Sequence, residues 1–118
     1  MTRMADKVAV VVGAGQTEGE TIGNGRAIAI RLAQEGATVL AVDRDLASAE
    51  ETCWMIRDLA DGPSAEATEA FRADITDEQA CAAMAQHAEQ AFGRIDVLVN
   101  NVGIEAGDRR PQSGADPD

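Results

Sequence analysis

Five glycines, Gly13, Gly15, Gly19, Gly23 and Gly25, lie between an apolar β-branched run, Val8 to Val12, and a helical stretch that starts at Arg26. Glycines at such a junction let the backbone approach a diphosphate, whose charge the following helix N-terminus stabilises. The strict G-x-G-x-x-G spacing is not met, because Glu18 stands where the third glycine would fall. No G-x-x-x-x-G-K-[ST] occurs, which excludes the P-loop reading. A turn with no chemical role is the competing reading. Asp43 follows 18 residues after Gly25, at the end of a second apolar run. A carboxylate there can accept both hydroxyls of an adenosine ribose and repels a 2′-phosphate, which favours NAD over NADP. Arg44 beside it works the other way, since a guanidinium can hold a 2′-phosphate. The bland alternative makes Asp43 a turn or helix-capping residue, with Asp45 also near the helix start.

Other reactive side chains form no constellation. His87 has no catalytic or metal-binding company in the sequence and reads as a packing or surface residue. Cys53 and Cys81, 28 positions apart, match neither a disulfide framework nor a metal spacing and read as small buried groups. Asp77, Glu78 and Glu89 read as a solvated face, while Trp54 and Met55 are expected against the sheet. There is no tyrosine, and Lys7 is the only lysine. A mechanism that needs a Tyr or a second Lys cannot run on this chain alone.

Charge narrows the partners. Twenty-one acidic against ten basic residues in 118 give a net charge of -11, which repels nucleic-acid backbones and anionic membranes. Trp54, Phe71 and Phe92 are the only aromatic residues, so base-stacking platforms are missing as well. The longest apolar run, Val8 to Val12, is far below the roughly 20 residues of a bilayer span. Met1 to Lys7 makes a poor secretory signal. The reading is a cytoplasmic chain with no nucleic-acid or membrane partner.

The elements that must position these residues alternate. Lys7–Val12 has the pattern of a strand buried on both faces of a parallel sheet. Arg26–Glu35 reads as a helix, with Ala27, Ile28, Ile30, Leu32 and Ala33 inward and Gly36 as its stop. Thr38–Val42 is a second strand and Leu46–Leu59 a second helix, closed by Asp61-Gly-Pro63. Residues 66–70 suit either a loop or a helix start, and Ala70–Ala73 a short third strand. Thr76 with Gln79 suggests a capping box. Ala80, Ala83, Met84, Ala88 and Ala91 then follow at helical spacing up to Gly93, and Ile95–Val99 is a fourth strand. This β-α-β-α-β-α-β order predicts an α/β, Rossmann-type doubly wound parallel sheet, partial, of about four strands in the order 3-2-1-4. The expected division is a truncated dinucleotide-binding domain over 1–104 and a disordered acidic tail over 105–118.

Gly13-Ala-Gly15, Ile22-Gly-Asn-Gly-Arg-Ala-Ile-Ala29, Ala41-Val-Asp-Arg-Asp45, Ala73-Asp-Ile-Thr76 and Phe92-Gly-Arg-Ile-Asp-Val-Leu-Val-Asn-Asn-Val-Gly103 occur in this order. In this the chain resembles the short-chain dehydrogenase/reductase family, from about Lys7 to Ile104. The resemblance implies that Gly13, Gly15, Gly23, Asn24 and Gly25 lie around the pyrophosphate and Asp43 holds the adenine ribose, with Arg44 beside it. It also implies that Asp74 and Ile75 flank the adenine ring, and that Asn100 contacts the adenosine side and braces the sheet. The implied cofactor is NAD, with NADP second. The activity implied is hydride transfer between that cofactor and an alcohol or ketone.

The departures from the family pattern are informative. Val12 stands where the family has Thr, and the spacing from Gly13 to Gly23 is longer than usual. Residues 17–21 then either loop over the cofactor or form a solvated bulge, with Glu18 and Glu20 turned outward. The family's Ser, Tyr and Lys catalytic segment has no counterpart here. The expectation is an N-terminal, cofactor-binding half that is inactive alone. The stretch from Glu105 to Asp118 lacks apolar periodicity, which suggests a reading-frame change near Gly107 or a genuinely short protein. A stand-alone nucleotide-binding module is the first alternative. An interaction protein that self-associates through the open edge of its fourth strand is the second.

Overall fold

A computed structural model of the chain describes residues 3–15 and 24–101. The expectations for Gly23, residues 17–21 and the tail over 105–118 lie outside them. The elements run β1 (Val8–Val12), α1 (Asn24–Gln34), β2 (Thr38–Asp43), α2 (Leu46–Leu59), α3 (Pro63–Glu66), β3 (Glu69–Arg72), α4 (Glu78–Phe92) and β4 (Val97–Asn100).

The four strands form one parallel sheet in the order β3-β2-β1-β4, as the alternating pattern predicts. Val8 pairs with Thr38 and Val12 with Val42, Ala9 pairs with Val97 and Val12 with Asn100, and Leu40 pairs with Glu69. β1 and the middle of β2 are buried on both faces, the state that an unbroken run of Val, Ala and Leu favours. At the start of the sheet Asp96 ties β4 to β1: its Oδ2 accepts the Val8 N–H at 2.8 Å, and its own N–H donates to the Val8 carbonyl at 2.9 Å. Arg94 donates to Asp96 Oδ1 through Nε at 3.0 Å and Nη2 at 2.7 Å. These donors hold the Asp96 carboxyl below the usual carboxylate range.

Helices cover the two faces unequally. On one side Ala9, Val11, Val39 and Ala41 pack with Ala29, Ile30 and Ala33 of α1, Ala49, Cys53 and Ile56 of α2, and Ala65 of α3. On the other, Val10, Val12, Leu40 and Val42 meet Met84 and Ala88 of α4, together with Ala73. Burial pushes the Cys53 thiol up, consistent with a packed thiol rather than a reactive one. Cys81 is half-buried and donates to the Ile75 carbonyl.

Several local expectations need correction. Trp54 does not face the sheet; it is 62% exposed. The inward stripe of α2 is Ala49, Thr52, Cys53 and Ile56, and at 3.6 residues per turn Trp54 lies about 140° around the helix from Ala49. Ala27 is likewise exposed, and Arg26 takes a buried place on α1. Thr76 does not cap α4. Asp77 does, accepting the Gln79 N–H at 2.9 Å. Thr76 instead turns back on Asp74, donating its N–H at 3.0 Å and its hydroxyl at 2.7 Å to Asp74 Oδ1. An aspartate that close competes for the threonine's donors before the helix can. His87 is a packing residue as expected: its ring stacks on Phe71 and its Nε2 lies 2.8 Å from Glu69 Oε1, joining α4 to β3.

Candidate functional site

The residues singled out by type and spacing gather at one end of the sheet. Gly13 follows β1, Asp43 ends β2 with Arg44 next to it, Asp74 and Ile75 follow β3, and Asn100 ends β4. These are the carboxyl ends of all four parallel strands. Chain progress reverses between β1 and β4, and in an open parallel sheet that reversal opens a crevice for a ligand.

The start of the crevice is a tight turn. Gly13 has φ 79°, a conformation that glycine adopts without penalty. The Gly13 and Ala14 N–H groups both donate to the Val42 carbonyl, at 2.8 and 3.0 Å. The Gly15 N–H donates to Asp43 Oδ2 at 2.9 Å, while Asp43 Oδ1 accepts the Asp45 N–H at 3.0 Å. The turn's own N–H groups therefore face β2 and Asp43. The first turn of α1 adds the N–H groups of Asn24 and Gly25, which have no partner within the helix. Each Asp43 oxygen is anchored by one backbone donor and keeps a lone pair for a further hydroxyl.

The space at this junction is backbone-tight. A Cβ on Gly25 would fall on the Gly13 carbonyl, and a Cβ on Gly15 would collide with the Ser48 side chain and lie 2.9 Å from Asp43 Oδ2. Helix α1 thus begins in contact with the turn after β1, and nothing larger than glycine fits at either point. This is the packing that brings a helix N-terminus onto a diphosphate and a carboxylate to the adjoining ribose. The residues present fit such a cofactor.

Asn24 opens α1 at the surface, and Arg44 is exposed. The Asp74 carboxyl is held below its usual range by the two Thr76 donors, with smaller help from the charges of Arg44 and Arg72. Ile75 packs at the border of the α4-side core. Asn100 is exposed on β4, and the Asn101 N–H donates to the Val12 carbonyl at 2.9 Å, holding this end of β4 beside the turn. Two members of the site escape sequence reasoning altogether. Arg26, on α1, donates Nε to Thr52 Oγ1 at 2.8 Å, and Thr52 Oγ1 donates to the Ala14 carbonyl at 2.7 Å. An arginine at a helix start reads as a surface residue; only the tertiary fold buries it. Among the described residues no group of three His, Cys, Asp or Glu side chains can hold a metal ion, and no helix is long and apolar enough to cross a membrane.

A family model described as short chain dehydrogenase matches residues 7–116, and the chain belongs to that family. Over 103 residues it is 39% identical to an uncharacterized oxidoreductase of Mycobacterium tuberculosis, covering 87% of this chain and 35% of that protein. Among solved structures, a hydroxysteroid dehydrogenase from Escherichia coli superposes with a TM-score of 0.74 at 35% identity, over 86% of this chain and 39% of that one. A 3-ketoacyl-(acyl-carrier-protein) reductase from Brucella melitensis, solved with NADH, superposes with a TM-score of 0.66 at 36% identity, over 80% and 33%. The chain therefore spans little more than a third of the length of these relatives.

Proposed function

We propose that this chain is the cofactor-binding, N-terminal part of an NAD(P)-dependent short-chain oxidoreductase, a protein that transfers hydride between a nicotinamide cofactor and an alcohol or ketone. Residues 1–104 form the dinucleotide-binding unit in this reading. The observation that carries it is the Asp43 carboxylate, fixed by the Gly15 N–H at the end of β2 beside the glycine turn. Asp43 accepts the adenosine ribose hydroxyls, and the start of α1 at Asn24 and Gly25 faces the pyrophosphate. Gly13 supplies the positive-φ turn, and Gly15 and Gly25 let that turn, Asp43 and α1 lie in contact. Asp74 and Ile75 border the adenine, Asn100 lines the adenosine side, and Arg44 lies beside the ribose. A bound nicotinamide would supply the hydride. The chain holds no tyrosine, so the Tyr acid/base that the resemblance implies is not among its residues. The role assigned to this part of the protein is therefore binding.

NAD is the favoured cofactor, because the Asp43 charge opposes a 2′-phosphate. Fluorescence titration with NADH and NADPH tests this. NADH is expected to bind the tighter of the two, and Asp43→Ala to weaken it about tenfold or more, the scale of a lost hydrogen bond to a charged group. Absence of binding by either nucleotide would sink the reading. Tighter NADPH binding, lost in Arg44→Ala, would reassign the ribose site to a 2′-phosphate.

A second reading rests on β4. Leu98 is 61% exposed on a strand whose outer edge pairs with no described residue. Such an edge can pair with a second copy of the chain. A sedimentation coefficient independent of concentration would remove this reading.

A further inference from the structure

We infer that Arg26 and Thr52 are positioning residues that set the peptide between Ala14 and Gly15, and through it the aim of the Asp43 carboxylate. The inference rests on the cofactor reading above and extends it to two residues outside the expected binding set. Arg26 is 5% exposed and Thr52 0%, so both act from inside the fold, between α1 and α2.

The Thr52 hydroxyl has one proton to give. Two acceptors are in reach: the Ala14 carbonyl at 2.7 Å and the Ser48 carbonyl at 3.3 Å. The second is the i−4 back-bond that a helical threonine makes by default. Arg26 decides between them. Its Nε donates to Thr52 Oγ1 at 2.8 Å and fills a lone pair, while its Nη2 donates to the Ser48 carbonyl at 3.1 Å. Both contacts direct the Thr52 proton at Ala14. Glu51 Oε1, 3.0 Å from Nη2, holds the guanidinium from the solvent side.

The Ala14 carbonyl and the Gly15 N–H belong to one planar peptide unit. Thr52 grips the carbonyl, and Asp43 Oδ2 accepts the N–H at 2.9 Å. Rotating that plane breaks both contacts together. The buried Arg26 thus governs, through two successive hydrogen bonds, where the Asp43 oxygen finds its backbone donor. Glu51 and Ser48, which hold Arg26, tie the relay to α2.

Thr52→Val removes the hydroxyl with little change of shape, Thr52→Ser keeps it, and Arg26→Lys keeps the charge without the planar fork. Each full-length variant is measured by amide exchange at Gly15 without nucleotide and by NADH titration. Thr52→Val is expected to speed Gly15 exchange and weaken NADH binding, each about tenfold, with Thr52→Ser restoring both and Arg26→Lys falling between. If Thr52→Val keeps the circular dichroism of the parent and changes neither quantity, the positioning role is wrong. Should Thr52→Val fail to fold, Arg26→Lys decides by the same two measurements. A parent chain that binds no NADH defeats the cofactor reading, while the exchange measurement still decides the brace.

Discussion

The two faces of the sheet are built from different material. The α1–α2–α3 side packs alanines, Ala9, Ala29, Ala33, Ala37, Ala41 and Ala49 among them, around Ile56 and Val39. The α4 side presents Val10, Val12, Leu40 and Val42 to Met84 and Ala88. Small side chains let helix backbones come close, and on the first side that closeness carries the chemistry: it brings Thr52 to Ala14 and Ser48 to Gly15. The second side is closed by one helix, and Leu98, which points to it from β4, stays largely bare. Precision at the glycine-turn end thus depends on the alanine-lined face, while the α4 face leaves Leu98 uncovered.

Substitutions can break or sharpen this contrast. The largest effect is expected from Ile56→Ala, which opens a cavity where neighbours on several elements cannot collapse; a loss of about 3–4 kcal/mol fits buried aliphatic truncations. Met84→Ala on the thinner side is expected near the lower end, about 2 kcal/mol, because the cavity borders solvent and the site can relax. Chemical denaturation followed by circular dichroism gives both values, and equal losses would show the faces to be equally well packed.

A shallower loss is expected on acidification. The folded-state pKa values of Asp96 and Asp74 are lowered by the donors that hold their carboxylates. Their contribution is complete above the ordinary carboxylate value of about 3.9 and disappears as pH falls through the lower folded value. Melting temperature should therefore drop as pH is lowered from about 5 toward 3, and Asp96→Asn should flatten part of that slope. An unchanged slope in Asp96→Asn would mean that the β1–β4 tie adds nothing. The smallest effect on stability is expected from Leu98→Thr, within about 0.5 kcal/mol. Its visible consequence would be weaker concentration dependence in sedimentation. A large stability loss would place Leu98 inside a contact that the isolated chain already makes.

Most of the fold is legible in the sequence where one pattern has one solution. The run Val8–Val12 is too short for a helix and too apolar for a surface strand. The span Leu46–Leu59 is the helix the spacing predicts, with Asp45 as its cap. The single turn α3 escapes, because four residues after Gly62 carry no period to recognise. Thr76 misleads because its hydroxyl has a nearer acceptor in Asp74 than in the helix it precedes. Of the site, the glycines and Asp43 are legible by type and spacing. The relay through Arg26 and Thr52 is not, since a threonine mid-helix and an arginine at a helix start are ordinary surface choices. What brings them together is the contact of α1 with α2, a tertiary fact.

The lone tryptophan has a consequence for anyone who follows this protein by light. Trp54 stands on the outer side of α2, bathed by solvent in the folded chain. At 62% exposure its native emission is expected to lie close to that of an unfolded peptide, so a denaturation curve read from it would understate the transition and make a well-packed chain look molten. The same position helps in another assay. Trp54 lies between two and three turns along α2 from Asp45, whose end of the sheet is the one where the glycine turn meets Asp43. With NADH bound as proposed, an indole there would be a donor for energy transfer to the reduced nicotinamide, and one spectral channel would then report occupancy without any label.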